Sequence, residues 1–421
     1  MCKYLYTNAG RFVNLKGIEI RIPMKILTVV ASMNPKGGGV VQAVKSFSNI
    51  YANNNILETI VTTDFPKEDF VKANSNIIAL GRQDNSWGYS RELKRWLLDN
   101  IEQYDVVILH GLWLYTNYAV RQVFKKIKKN NIIAVPKLYI MPHGMLDPYF
   151  QKAKERRLKA IRNALYWYLI EKNIINSCDK ILFTCNEELR LAAQTFFGYK
   201  PKTCININLG IEVPPTFEQK QKEAFQKICP KIVGKKYLLY FGRIDSKKGV
   251  DILIEAYGSI VEYLVKNDLH VPELVIAGPG KETLYGKQLV MQVRNNEWMS
   301  DSVHFTGMLV GDSKWGAIYG CDAFILPSHQ ENFGIAIVEA LACSKAVLIS
   351  NKINIYTEIA LSNAGIVNND TLDGTVQSLL TWISLTDKVK QIMSENAYHA
   401  YNQYFNLKNT EHTIIEMLDN A

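Results

Sequence analysis

Two glutamates, Glu331 and Glu339, stand eight positions apart in SHQENFGIAIVE, with Gly334 between them. A carboxylate pair first suggests an acid and a nucleophile at one bond, but the spacing argues otherwise. If the stretch runs from a loop into a helix, eight residues at about 1.5 Å each span roughly 12 Å. A retaining glycosidase pair needs about 5 to 5.5 Å and an inverting pair about 6.5 to 9.5 Å. The two carboxylates suit opposite ends of one long ligand with hydroxyl pairs at both ends, as a nucleotide sugar has on ribose and hexose. The backbone amides around Asn332, Phe333 and Gly334 would lie between them at a helix N-terminus, where a phosphate or sugar hydroxyl is favoured. Each glutamate alone is equally a helix cap or a surface ion pair; the stretch as a whole is not.

Two further loops carry matching chemistry. In GRIDSKKGV, Arg243 and Lys248 flank a turn, a bidentate fork and a point charge suited to a diphosphate. A solvated basic turn explains those residues equally well by themselves. In NPKGGGVV, Gly37, Gly38 and Gly39 open a helix, where bare backbone can approach a phosphate. The run is neither Gly-x-Gly-x-x-Gly nor a P-loop, and a tight turn accounts for it as readily.

The elements that must hold these loops follow a βα rhythm. KILTVVASM, YDVVILHGLW, ILFTC and the residues before Leu209 form one series; KYLLYFGRI, ELVIAGPG, SVHFTG, DAFILPS, AVLIS and AGIVN form a second. Helices are expected over VVQAVKSFSNIYANN, Val250 to Lys266, and from about Gly334. With 421 residues, 48% hydrophobic and 21% charged, the chain suits two doubly wound parallel-sheet domains. Expected bounds are 25–212 and 236–395, joined by a polar, aperiodic linker at 213–235, with helices at 396–421 crossing back to the first domain. Residues 1–24 are expected to be disordered or an artefact of start-site choice. In such sheets ligands bind beyond the carboxyl ends of strands, and between two domains they bind in a cleft.

Seven scattered cysteines without Cys-x-x-Cys spacing argue against a disulfide framework or zinc site. No run approaches the roughly 18 uncharged residues of a membrane span, and no secretory signal opens the chain. A cytoplasmic place is therefore expected. The net charge of +9 is local: Arg121 to Lys172 holds thirteen Lys and Arg against three acids. Within it, Leu158, Ile161, Leu165 and Leu169 fall at helical spacing near Tyr166, Trp167 and Tyr168, with cations mostly elsewhere around the helix. Such a face fits anionic lipid; a helix covering its own core is the ordinary alternative. Nucleic acid is not indicated, because no recognition motif accompanies the charge.

PSHQENFGIAIVEALAC resembles the Glu-x7-Glu signature of retaining GT-B glycosyltransferases of family 4, and GRIDSKKG resembles their donor loop. NPKGGGVVQAV, HGLW at 110 and MPHGMLDPYF at 141 extend the resemblance from about Lys25 to the C-terminus. It implies two Rossmann-like domains facing each other across a cleft. The implied reaction moves a hexose from a nucleoside-diphosphate sugar to a glycan or lipid-linked acceptor, with retention and no obligatory metal. No Asp-x-Asp occurs in the chain, in keeping with the last point.

Carried over by position, Arg243 and Lys248 would hold the diphosphate and stabilise leaving-group charge, the electrostatic term that usually matters most. Glu331 would hold hexose hydroxyls and Glu339 the ribose. Asn332, Phe333, Gly334 and Ile335 would line the donor, partly through backbone amides, while Gly38 and Gly39 approach it from the N-terminal side. His143 matches the family's active-site histidine, with positioning and charge balance as its implied tasks. One departure is Ser344, where the family commonly has glycine. The rival readings are a nucleotide-sugar epimerase on the same fold and a non-catalytic sugar-nucleotide binding subunit.

Overall fold

The computed structural model describes residues 5–6, 10–15, 18–81, 87–129, 135–153, 156–267 and 269–420. They divide into two compact units, Met1–Leu209 with Leu407–Ala421, and Gly210–Asn406.

The first surprise precedes both main sheets. β1 (Leu5–Tyr6), β2 (Gly10–Leu15) and β3 (Ile18–Pro23) pair antiparallel in a small separate sheet, so the described residues up to Pro23 of the stretch expected to be disordered or a start-site artefact are strands rather than disordered. The signal was available: Ile18, Ile20 and Ile22 alternate with Glu19, Arg21 and Pro23, the period of a strand.

The main sheet of the first unit contains β4 (Lys25–Val30), β5 (Leu57–Thr62), β6 (Ile77–Ala79), β7 (Val106–His110), β8 (Lys137–Met141), β9 (Lys180–Phe183) and β10 (Cys204–Asn206). Their spatial order is β10-β9-β8-β7-β4-β5-β6, every pairing parallel. All five residues of β7 are buried, as expected for a strand covered on both faces. Obvious apolar runs do not mark β5. Its second residue is Glu58, whose carboxylate accepts from Thr28 Oγ1 and Ser48 Oγ at 2.5 Å each.

The second unit holds β11 (Tyr237–Phe241), β12 (Glu273–Ala277), β13 (Val303–Gly307), β14 (Ala323–Leu326), β15 (Val347–Ser350) and β16 (Gly365–Asn368), in the order β13-β12-β11-β14-β15-β16. Both sheets share one winding rule. Each starts in the middle, runs outward over two strands, then returns to the other side of its first strand. The order therefore reverses between β4 and β7, and again between β11 and β14. Ligands of doubly wound sheets bind beyond the carboxyl ends at that reversal. NPKGGG and HGLW follow β4 and β7; GRIDSKKG and PSHQENFG follow β11 and β14.

Two expected boundaries shift. The supposed linker 213–235 contains a helix, Gln219–Ile228, which packs along the helix Gly311–Gly320 of the second unit. A capping box between Glu218 and Gln221 starts it, and buried Phe225 meets the Tyr237 ring at 5.6 Å. Its apolar stripe is too short to register as periodicity, so Gln, Lys and Glu make it look like a linker. The return to the first unit begins at Leu407 rather than 396. Residues before it are held in the second unit, where Ile211 N donates to Phe405 O at 2.9 Å and Tyr401 OH to Ile211 O at 3.1 Å. The helix Leu407–Asp419 is held in the first: Thr410 Oγ1 donates to Asn208 O at 2.7 Å, and Asn54 Nδ2 to Glu411 Oε1 at 2.7 Å.

Cys178, Cys185, Cys229, Cys321 and Cys343 are buried and Cys204 is half-buried. Among the described residues, no helix is long and apolar enough to cross a membrane.

Candidate functional site

The chemistry of the second unit is assembled where its sheet reverses. Tyr240 OH donates to Arg243 O at 2.6 Å, fixing the backbone from which the exposed Arg243 side chain leaves β11. Asp245 then accepts from Lys247 N at 3.0 Å and caps the short turn Ser246–Lys248. Gly249, at φ 66°, opens the helix Val250–Lys266. A Cβ at that position would lie 2.2 Å from Pro327 O, so only glycine lets this turn sit against the end of β14.

The loop after β14 is bonded directly to that turn. His329 N and Ser328 Oγ donate to Lys247 O at 2.8 and 3.0 Å, and Lys247 Nζ donates to Gln330 Oε1 at 3.0 Å. The last link is an ion pair between Lys248 Nζ and Glu331 Oε2, both side chains largely buried. Burial, then Lys247 and Arg243 alongside, pull the Lys248 ammonium down to about 7, with Asp245 opposing; the paired Glu331 carboxylate favours the charged form. Glu331 is itself fixed in extended backbone, donating from N to Lys352 O at 3.1 Å and accepting at O from Asn354 N at 3.0 Å.

Gly334 turns the chain from this extended segment into the helix Ile335–Ala342. It has φ 73° and ψ 60°, and a Cβ there would meet Ile337 Cδ1 at 2.8 Å. The helix N-terminus carries no side-chain cap, leaving its first amides to a ligand. Phe333 anchors the turn from below: it is buried, edge-on to Phe405 at 6.0 Å. Asn332 Oδ1 accepts from Asn354 Nδ2 at 3.3 Å, so its side chain braces the loop. Glu339 follows just over one turn into the helix and accepts from Lys314 Nζ at 2.6 Å. Burial raises the Glu339 carboxyl and Lys314 counters it. Each glutamate thus has its own lysine, as suits two separate ends of a ligand.

In the first unit, Gly38, at φ 71°, caps the helix Gly39–Asn53, again without a side-chain cap. The backbone leading to it is pinned by buried Asp64, which accepts from Ser32 Oγ at 2.6 Å and Met33 N at 2.7 Å. His143 lies after β8 in a Pro-His-Gly turn, at φ 53°. It stacks on His110, the last residue of β7, with centroids 5.2 Å apart and Nδ1 of His110 2.9 Å from Nε2 of His143. Burial takes His143 down to about 3, and burial with His143 nearby holds His110 well below its ordinary value. Burial thus favours the neutral His143 ring in the free protein, which suits positioning better than the expected charge balance.

Three residues of this architecture escaped the sequence reading. Glu188 holds the histidine turn, accepting from Gly144 N at 2.5 Å and from Thr184 N and Oγ1 at 2.8 and 2.6 Å. Asp64 and Lys314 are the others. Each lies on a different element from the group it serves, and no short motif links them.

The sheet order of the two parallel-sheet α/β units matches the GT-B fold of solved glycosyltransferase structures. The sequence model described as "Glycosyl transferases group 1" matches residues 221–400, across the whole of the Arg243 to Glu339 constellation. An uncharacterised glycosyltransferase of Methanocaldococcus jannaschii is 33% identical over 116 residues, 28% of this chain and 27% of its own length. The chain spans less than half the length of the curated relatives it matches, 45% in the case of an inositol 3-phosphate glycosyltransferase from Catenulispora acidiphila. Among solved structures, sucrose-phosphate synthase from Thermosynechococcus elongatus superposes with a TM-score of 0.72 at 16% identity, covering 94% of this chain and 98% of that one. Anabaena HepE in complex with UDP-glucose gives 0.69 at 17% identity, with 94% and 100% coverage.

Proposed function

We propose that this chain transfers a hexose from a UDP- or GDP-linked sugar to a hydroxyl of a glycan or lipid-linked glycan, with retention at the anomeric carbon, on the cytoplasmic side of a cell membrane. Assembly of an exopolysaccharide, capsule or O-antigen is the expected setting. The carrying observation is the Lys248–Glu331 pair at the reversal of the second sheet, beside exposed Arg243 and the uncapped helix leading to Glu339. UDP-glucose in the similar HepE structure supports the donor class.

In this reading a diphosphate enters between Arg243 and Lys248, and Glu331 exchanges part of its lysine contact for hexose hydroxyls. The amides of Phe333, Gly334 and Ile335 face the donor from the helix N-terminus, and Glu339 accepts from ribose. In the first unit, Gly38 and Gly39 offer bare backbone and His143 a ring of fixed position to a ligand. As the C1–phosphate bond breaks, the negative charge gathering on the diphosphate meets the two cations. The acceptor oxygen bonds to C1 on the same face, and its proton passes to the departing phosphate oxygen. No protein carboxylate is needed as nucleophile, in keeping with Glu331 and Glu339 each tied to a different lysine. An epimerase would need acid and base groups at the sugar, and His143 already has its Nε2 against His110.

The test is nucleotide release from UDP-glucose and GDP-mannose with a panel of glycan and lipid-linked acceptors, in EDTA, with proton NMR of the product anomer. Transfer with the donor's configuration, unaffected by EDTA, supports the proposal. Inverted product, or strict dependence on added metal, contradicts it. Donor binding without transfer to any acceptor would favour the binding-subunit reading.

A further inference from the structure

The basic segment of the first unit does not bury its apolar stripe. In the helix Arg157–Tyr166 and the turn Trp167–Glu171 that continues it, Leu158 is 85% exposed, Ile161 61%, Leu165 60% and Leu169 68%. The inward side is filled by other groups: Trp167 stacks on Phe196 at 4.7 Å, and Tyr166 OH donates to Leu114 O at 3.0 Å. The helix therefore does not cover its own core with these residues. Four leucine and isoleucine side chains in water along one helical segment call for a cover.

The charge around the stripe says which cover. Arg157, Lys159 and Arg162 are exposed beside it, and the sequence from Arg156 to Ile170 contains no acid. The next acid, Glu171, is buried, accepting from Trp113 N at 2.8 Å, and burial pushes its carboxyl up to about 8. Directly adjoining is a cavity of about 480 Å³ lined by Arg121, Lys125, Lys128 and Lys137. Arg121 joins the two features, donating from Nη1 to Leu169 O at 3.1 Å. The acid lining the cavity, Asp179, is engaged by Leu138 N at 2.9 Å and faces Lys202 at 3.4 Å.

We propose that the stripe and the cavity together form a docking surface for an anionic lipid bilayer. The leucine and isoleucine side chains enter the acyl boundary, Arg157, Lys159 and Arg162 stay among the headgroups, and the cavity takes a lipid phosphate. A second copy of this chain is a poorer occupant, because it would bring the same cations face to face. The surface is built from residues outside the proposed donor site, so its test stands apart from that of sugar transfer.

The experiment is co-sedimentation of the full chain with phosphatidylcholine vesicles, with and without 30% phosphatidylglycerol, at low and high salt. Binding is expected to the anionic vesicles only, and to weaken with salt. Lys125→Ala with Lys128→Ala should weaken it about 25-fold, roughly fivefold for each cation removed near the surface. Ile161→Asp with Leu165→Asp should reduce it to background while the thermal midpoint of the protein is kept. Equal binding to neutral vesicles, unchanged binding by either double variant, or no binding at low salt would overturn the proposal. So would a wild type that runs as a dimer in solution and becomes a monomer on the Ile161→Asp, Leu165→Asp exchange.

Discussion

Lys248 shows what burial asks of a single residue. Burial and two cationic neighbours pull its ammonium down to about 7, and a diphosphate bound as proposed would restore the charged form. Since the value is lowered, Lys248 of the free site loses its charge as pH rises through about 7, while Arg243 keeps its own. Affinity for UDP should therefore be flat below pH 6.5 and fall by about tenfold or more by pH 9, the scale of one lost charge-assisted hydrogen bond. Lys248→Arg, which stays charged, should flatten that fall; a wild-type profile that is level from 6 to 9 would remove Lys248 from the diphosphate. Ser344 gives a stability counterpart. It sits at φ 57° just after the helix Ile335–Ala342, a conformation that costs a side-chain-bearing residue about 1 kcal/mol. Ser344→Gly should accordingly raise the unfolding free energy measured in guanidinium by about that much, with nucleotide affinity unchanged. The cations and glutamates were legible because each stands in a short motif. Lys314 and Glu188 were not, because their partners are 25 and 44 positions away.

At the level of elements, the site is made by two loops leaving neighbouring strands. Lys247 O receives both Ser328 Oγ and His329 N, and this seam brings Lys248 against Glu331 across 83 positions of sequence. Gly249 allows the seam to close. Gly249→Ala should cost upward of 1–2 kcal/mol from its backbone angle alone, before the clash with Pro327 O. Nucleotide binding should be lost with it, measured by calorimetry on the folded variant; retained affinity would show that the loops need not meet. Elements with dense apolar runs, such as β7, β11 and the helix Val250–Lys266, could be placed from the sequence. The helix Gln219–Ile228 could not, since only Phe225 and Gln221 of its length are buried and the rest is mostly Gln, Lys and Glu. Of the three N-terminal strands only β3 alternates in sequence; β1 and β2 carry no such period, and the apolar series opens at Lys25.

For the whole molecule, the chain leaves the first unit at Leu209 and returns at Leu407, so the first unit is closed by a segment distant in sequence. The returning helix buries Ile414, Met417 and Leu418 there. Those three side chains contribute on the order of 5 kcal/mol by transfer alone. Deleting Leu407–Ala421 should unfold or strongly destabilise the first unit while the second keeps its own transition; two unchanged transitions in calorimetry would contradict that division. The two-domain α/β class was legible from the repeated βα rhythm, and the exact return point was not, because no glycine or proline from Asp387 to Asp419 marks where the chain passes from one unit to the other.

The central claim is that the loops after β11 and β14 hold a nucleoside-diphosphate sugar. Its most direct test is the thermal midpoint of the purified chain against UDP, GDP and their glucose and mannose derivatives, beside Arg243→Ala and Glu339→Ala. At a hundred times its dissociation constant, a specific ligand adds about 2.7 kcal/mol of stability. The expected result is that one base family raises the midpoint of the wild type and that both variants lose the rise. A wild type that no nucleotide or nucleotide sugar stabilises, or variants that respond as it does, would contradict the account.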